Sequence, residues 1–172
     1  METNIVQKQN KSLYKIKKLF KNNWKPALIS FGTVFLVSIL GSIFTNPNSA
    51  WFTSLIKPKF YPPNWLFGVM WSIIYLLIAI GLFLILTKNK MTKKLTILYI
   101  ANGILNIVWS MVFFTFNNMF LGVVVLVLII ISAYFLVKEL YLASKTSLYL
   151  ALPYFIWLFY AFLVNYAIYF LN

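Results

Sequence analysis

Five stretches of the chain run without a charged side chain: 27–44, 65–86, 95–116, 119–137 and 148–171. Each holds 18 to 24 residues, and at ~1.5 Å of rise per residue each reaches across a ~30 Å hydrocarbon core as a helix with some tilt. A membrane barrel would need alternating strands of about ten residues, and these segments do not alternate. The pattern predicts an all-α integral membrane protein, a bundle of five transmembrane helices.

Five crossings put the N-terminus and the connections at 87–94 and 138–147 on one side. That side holds 13 of the 15 lysines, and the other only Lys57 and Lys59. The positive-inside rule then predicts a multi-pass protein with a cytoplasmic N-terminus and a C-terminus outside. A cleaved signal peptide is the rival reading of the first segment. The 26-residue approach, a run longer than a ~7 to 15 residue signal core, and Asn48 in the site-like Asn48-Ser49-Ala50 weigh against it. Within the basic extension 1–26, Leu13, Ile16, Phe20 and Trp24 recur at helical spacing among lysines. An amphipathic helix on an anionic cytoplasmic leaflet and a disordered basic tail both fit that pattern.

No repeat at a fixed period is visible, and five helices do not divide into two halves, which argues against an inverted-repeat transporter. The longest connection, 45–64, carries Pro47, Pro58, Pro62 and Pro63 with Trp51, Phe52, Phe60 and Tyr61. Prolines stiffen it and aromatics give it something to bury, so it is expected to fold as a lid over the helix ends.

Composition sharpens the picture. Of 172 residues, 62% are hydrophobic and 10% charged, with mean hydropathy +0.86, against about 25% charged in soluble domains. The chain has no His, Cys, Asp or Arg, and its only carboxylate side chains are Glu2 and Glu139. Hydrolytic triads, thiol chemistry, His or Cys metal sites and paired-carboxylate catalysis all need side chains it lacks. An enzyme of ordinary type is not expected. The net charge of +13 comes from lysine alone, which suits an anionic lipid surface better than nucleic acid.

Inside the spans, Asn102, Asn106, Trp109 and Phe113 lie within about 60° of one another at 3.6 residues per turn. Membrane amides seek partners, either on neighbouring helices or on a polar ligand, and the spacing leaves both open. The second span groups Gly68, Trp71 and Tyr75, and the fifth runs Pro153, Trp157, Ala161 and Asn165 at intervals of four. Trp51 and Trp65 suit the interfacial belt. Trp71, Trp109 and Trp157 fall inside their spans, where three indoles wall a flat aromatic ligand or simply pack the core. Pro153 marks either a first turn or a kink of its helix.

Together these residues resemble the TspO/MBR family, the tryptophan-rich sensory proteins also known as translocator proteins or peripheral-type benzodiazepine receptors. The resemblance spans roughly the last 140 residues. Its most specific part is 51–58, Trp-Phe-Thr-Ser-Leu-Ile-Lys-Pro, followed by Pro62-Pro63, Phe67, Trp71 and Tyr75. Asn106, Trp109, Phe113 and Phe114 are similar to its third-helix pattern, and Pro153-Tyr154, Trp157, Tyr160, Ala161 and Asn165 to its fifth. The resemblance implies a five-helix bundle, often a homodimer, with a pocket beneath the first loop that takes porphyrins, haem or benzodiazepine-type ligands. Carried over by motif position, the pocket would involve Phe52, Pro62, Trp71, Tyr75, Asn106, Trp109, Trp157 and Ala161.

Some positions depart from the family. Phe52 stands where Tyr is usual, Val125 where an acidic residue is common, and Phe162 where a smaller residue sits. No Lys or Arg follows Lys145, so the sterol-recognition pattern of the animal proteins' last helix cannot form there. The expected function is a membrane sensor binding porphyrin-like molecules as ligands, with no cofactor required. A transporter of tetrapyrroles or other amphipathic molecules, and a light-dependent porphyrin-degrading enzyme that uses tryptophan as oxidisable partner, are the alternatives.

Overall fold

The computed structural model describes residues 23–172; the expectation for the basic extension falls, up to residue 22, outside them. The described chain is helical, with α1 Trp24–Phe44, a short α2 Ala50–Ser54, α3 Asn64–Thr87, α4 Lys93–Ser110, α5 Met119–Ala143 and α6 Lys145–Leu171. α4 continues into one π-helical turn, Met111–Thr115. Five of these helices, counting α4 with that turn as one, are long and apolar enough to cross a membrane.

Local chemistry sets the ends. Thr92, Asn118 and Ser144 cap α4, α5 and α6 by accepting from the backbone N–H three residues on, at 3.1, 2.9 and 3.3 Å. Asn89 and Asn117 take positive φ of 51° and 54° just past helical segments, a conformation asparagine tolerates better than most side chains. The helices overrun the charge-free spans. α5 continues through Lys138 and Glu139 to Ala143, leaving Ser144 as the whole connection to α6, because long charged side chains reach polar surroundings from a helix end without interrupting its backbone. For the same reason Pro153, expected near the start of the last helix, lies well inside it. Pro26 sits in the first turn of α1, where a missing N–H costs nothing.

The five long helices close a ring in the order α1, α3, α6, α5, α4, each packed chiefly on its two neighbours. α1 buries only Ser30 and Gly41 and is the most peripheral member. Gly103 lets α4 approach it, since a Cβ there would lie 3.1 Å from Val37 Cγ2. One end of the ring carries Lys88, Lys90, Lys93, Lys94, Lys138 and Lys145, with Lys94 paired to Glu139. The lid covers the other end.

Candidate ligand cavity

The lid is tied down at several points. Ser49 caps α2 by accepting from Phe52 N at 3.2 Å, which turns the Phe52 ring inward to 3% exposure. There it meets Phe113 and Phe114, with centroids at 6.2 and 5.1 Å. The π-helical turn brings these two consecutive phenylalanines to the lid together; such insertions re-aim side chains. Farther along, Tyr160 Oη donates to Phe60 O at 3.0 Å, and the Asn172 carboxamide bonds both Ile56 N and Ile56 O at 2.9 and 3.1 Å. Tyr61 Oη donates to Asn64 Oδ1 at 2.9 Å. Burial pushes that hydroxyl up to about 12, with Tyr160 adding to the effect, so it stays protonated as a donor at ordinary pH.

Beneath the lid lies a cavity of about 400 Å³, within the ~300 to 1,000 Å³ of small-molecule sites. Aromatic rings make two of its walls. The ring centroids of Trp71 and Tyr75 of α3 lie 5.4 Å apart, and Trp109 of α4 stacks on Phe113 of the π-helical turn at 5.5 Å and 9°. Ala161, Val164, Asn165 and Ile168 supply the α6 wall. The α1 wall is small and hydroxylic: Ser38, Gly41, Ser42 and Thr45. Among the described residues, no charged side chain lines the cavity. Lys57 stands over its roof, with Nζ 4.8 Å from the centroid of Phe52 and donating to Phe52 O at 3.1 Å.

At the deep end a polar network ties three helices. Tyr154 Oη donates to Asn102 Oδ1 at 2.6 Å, Asn106 Nδ2 donates to Tyr154 Oη and Asn102 O at 2.8 Å each, and Asn102 Nδ2 donates to Ser132 Oγ at 2.7 Å. The two asparagines thus divide the roles that spacing left open. Asn102 is buried and structural; Asn106 spends its NH2 on the network but still lines the cavity.

Six of the eight residues expected at the site line the cavity: Phe52, Trp71, Tyr75, Asn106, Trp109 and Ala161. Pro62 is buried in the lid, off the wall. Trp157 lies behind the wall, with Phe67 and Tyr160 rings at 5.7 and 5.1 Å and its buried Nε1 unpartnered among the described residues. The α1 contribution was missed, although Ser38, Gly41, Ser42 and Thr45 fall at i, i+3, i+4 and i+7, the signature of one small-residue face.

The TspO/MBR family model matches residues 30–171. The chain belongs to the TspO/MBR family. Tryptophan-rich protein TspO of Archaeoglobus fulgidus is 36% identical over 143 residues, 81% of this chain and 92% of that one. Protein CrtK of Rhodobacter capsulatus is 32% identical over 136 residues, covering 77% and 83%. The human Translocator protein is 28% identical over 150 residues, covering 84% and 89%. With its five apolar helices, this TspO/MBR member is an integral multi-pass membrane protein.

Proposed function

We propose that this chain is a membrane sensor that binds porphyrin-like tetrapyrroles, haem among them, or other flat hydrophobic aromatic ligands in the lid-end cavity. The supporting observation is the composition of its walls. Trp71 and Tyr75 on one helix and stacked Trp109 and Phe113 on another flank an uncharged space, and flat rings stack on such faces. A macrocycle has room to extend sideways: Gly68 has nothing within 4 Å of the position a Cβ would take, and Ser42 and Ser72 are exposed. The cavity therefore runs toward the lipid between α1 and α3.

The relatives named translocator protein favour movement of the ligand as a second reading, and that side opening suits exchange with the bilayer. Passage through the bundle is disfavoured by the tight packing of Ile85, Leu95, Leu136 and Leu140 below the cavity. Titration of the purified protein with protoporphyrin IX, read by tryptophan quenching, should saturate, and Trp109→Ala should weaken binding by about 1 to 3 kcal/mol, by analogy with stacking on nucleobases. Proteoliposomes should show no flux above protein-free vesicles. Saturable flux would replace sensing by transport, and absence of saturable binding would remove the porphyrin reading.

The 13-to-2 lysine asymmetry further supports a lid end facing away from the cytoplasm. A reporter fused after Asn172 should be active outside the cytoplasm and one inserted in 88–92 inside. The reverse would invert the orientation.

A further inference from the structure

We propose that Asn165 is the polar anchor of the cavity and selects ligands carrying a neutral acceptor oxygen, a ketone, ester or amide carbonyl, on a flat apolar ring system. This rests on the cavity being a ligand site and adds which chemistry it recognises.

Asn165 lines the cavity and is only 2% exposed, yet its Nδ2 has no hydrogen-bond partner among the described residues. A buried NH2 left unbonded is costly, and the cost is relieved by any ligand that offers an acceptor. The amide is not free to turn over. Trp109 Nε1 donates to Asn165 Oδ1 at 3.2 Å, and rotation would set the NH2 against that N–H, donor against donor. Gly122 reinforces the placement from α5, where an added Cβ would lie 3.1 Å from Oδ1 and 3.0 Å from Phe113 Cδ2. The Oδ1 side is thus occupied by protein, and Nδ2 is the group left for a ligand.

Several other donors of the wall are spent, and those without a hydrogen bond among the described residues, Ser38 Oγ, Trp71 Nε1 and Tyr75 Oη, belong to residues that are only partly buried. Ser42, Thr45 and Ser72 hydroxyls donate to the carbonyls of Ile39, Gly41 and Gly68 at 2.8, 2.9 and 2.8 Å. Asn106 gives its NH2 to the deep network. Among the described residues, Asn165 Nδ2 is therefore the one unbonded wall donor that is fully enclosed, and it is the donor with most to gain from an acceptor entering the cavity. Charge decides which acceptor. With no cation on the wall among the described residues, a carboxylate at Asn165 would lose its hydration in exchange for one neutral donor, whereas a neutral carbonyl loses much less. Carboxylates of a ligand belong at the roof, near Lys57.

The test compares etioporphyrin I, which has no oxygen, with protoporphyrin IX dimethyl ester, whose carbonyls are neutral, both titrated by tryptophan quenching. The parent protein should bind the ester about tenfold more tightly, the range of one hydrogen bond to an otherwise unsatisfied donor. Asn165→Leu should abolish that preference. Equal binding of the two porphyrins by the parent overturns the inference while the cavity reading stands, and it requires no substitution, so a variant that fails to fold does not shelter the idea. An Asn165→Leu protein that keeps the tenfold preference overturns it as well. If neither porphyrin binds saturably, the cavity reading itself fails and the inference with it.

Discussion

The two ends of this bundle use the same helices and opposite packing. At the lysine end the interior is aliphatic: Ile85, Leu95, Leu136 and Leu140 are between 0% and 4% exposed. Gly81 brings α3 against α6, where Ser147 Oγ donates to Gly81 O at 3.0 Å, and Ser144 alone joins α5 to α6. At the lid end the side chains are large and flat, and beneath the small core of Phe52, Phe113 and Ile168 they stand around a space. Branched aliphatics interdigitate into a dense interior. Rings stacked on one another, as Trp109 on Phe113, present broad faces that leave a gap between helices. Since lipid tails give apolar helices no hydrophobic reason to associate, close packing must hold the bundle. The lysine end supplies it together with the core around Ile74, Ile129, Ala133 and Leu158, which lets the space beneath the lid remain open.

The sharpest way to break this contrast is to remove one large side chain from each end. Leu140 is fully buried, and Leu140→Ala should lower stability by about 3 kcal/mol, within the range for buried leucine truncation. Trp71→Ala widens a space that already exists, so it should cost less stability while weakening porphyrin binding more. Denaturation midpoints in detergent, measured beside quenching titrations, read both quantities. Equal destabilisation by the two variants would mean that the aromatic end carries as much of the fold as the aliphatic end, and the division of labour would be gone.

The division was only half legible in the sequence. The absence of charge over five runs of helix-spanning length fixes the fold, because burying an unpaired ammonium in hydrocarbon is too costly to occur by accident. Helical spacing also collects Trp109 with Asn106, and Trp71 with Tyr75, and these four do line one cavity. Spacing says which residues share a helix face and nothing about what lies opposite. Trp157, Ala161 and Asn165 share a stripe, yet Ala161 and Asn165 reach the cavity while Trp157 is enclosed by Phe67 and Tyr160. That outcome depends on how α6 is rotated against α3. Likewise the polar face of α1 looks unremarkable alone and gains meaning only across from Gly68 and Ser72. Ser144 as a one-residue connection was hidden by Lys138 and Glu139, which end a charge-free run without ending a helix.

A smaller effect distinguishes the lid's anchor from its clasp. Phe52 anchors it by packing its buried ring on the buried ring of Phe113, whereas Asn172 clasps it through two hydrogen bonds to Ile56, a residue 60% exposed. Solvent competes for exposed hydrogen bonds, so the pair should contribute about 1 kcal/mol to lid closure, toward the lower end for two ordinary bonds. Asn172→Ala should therefore leave the denaturation midpoint nearly unchanged and accelerate porphyrin dissociation about fivefold, the factor that ~1 kcal/mol represents at 25 °C. The wall residues are untouched, so the intrinsic contacts of a bound ring should persist and the change should fall mainly on exchange rates. Stopped-flow displacement of protoporphyrin IX by excess haem measures it directly. Unchanged dissociation in Asn172→Ala would mean that ligand leaves without the lid lifting at Ile56, and the side opening between α1 and α3 would be the route that sets the rate.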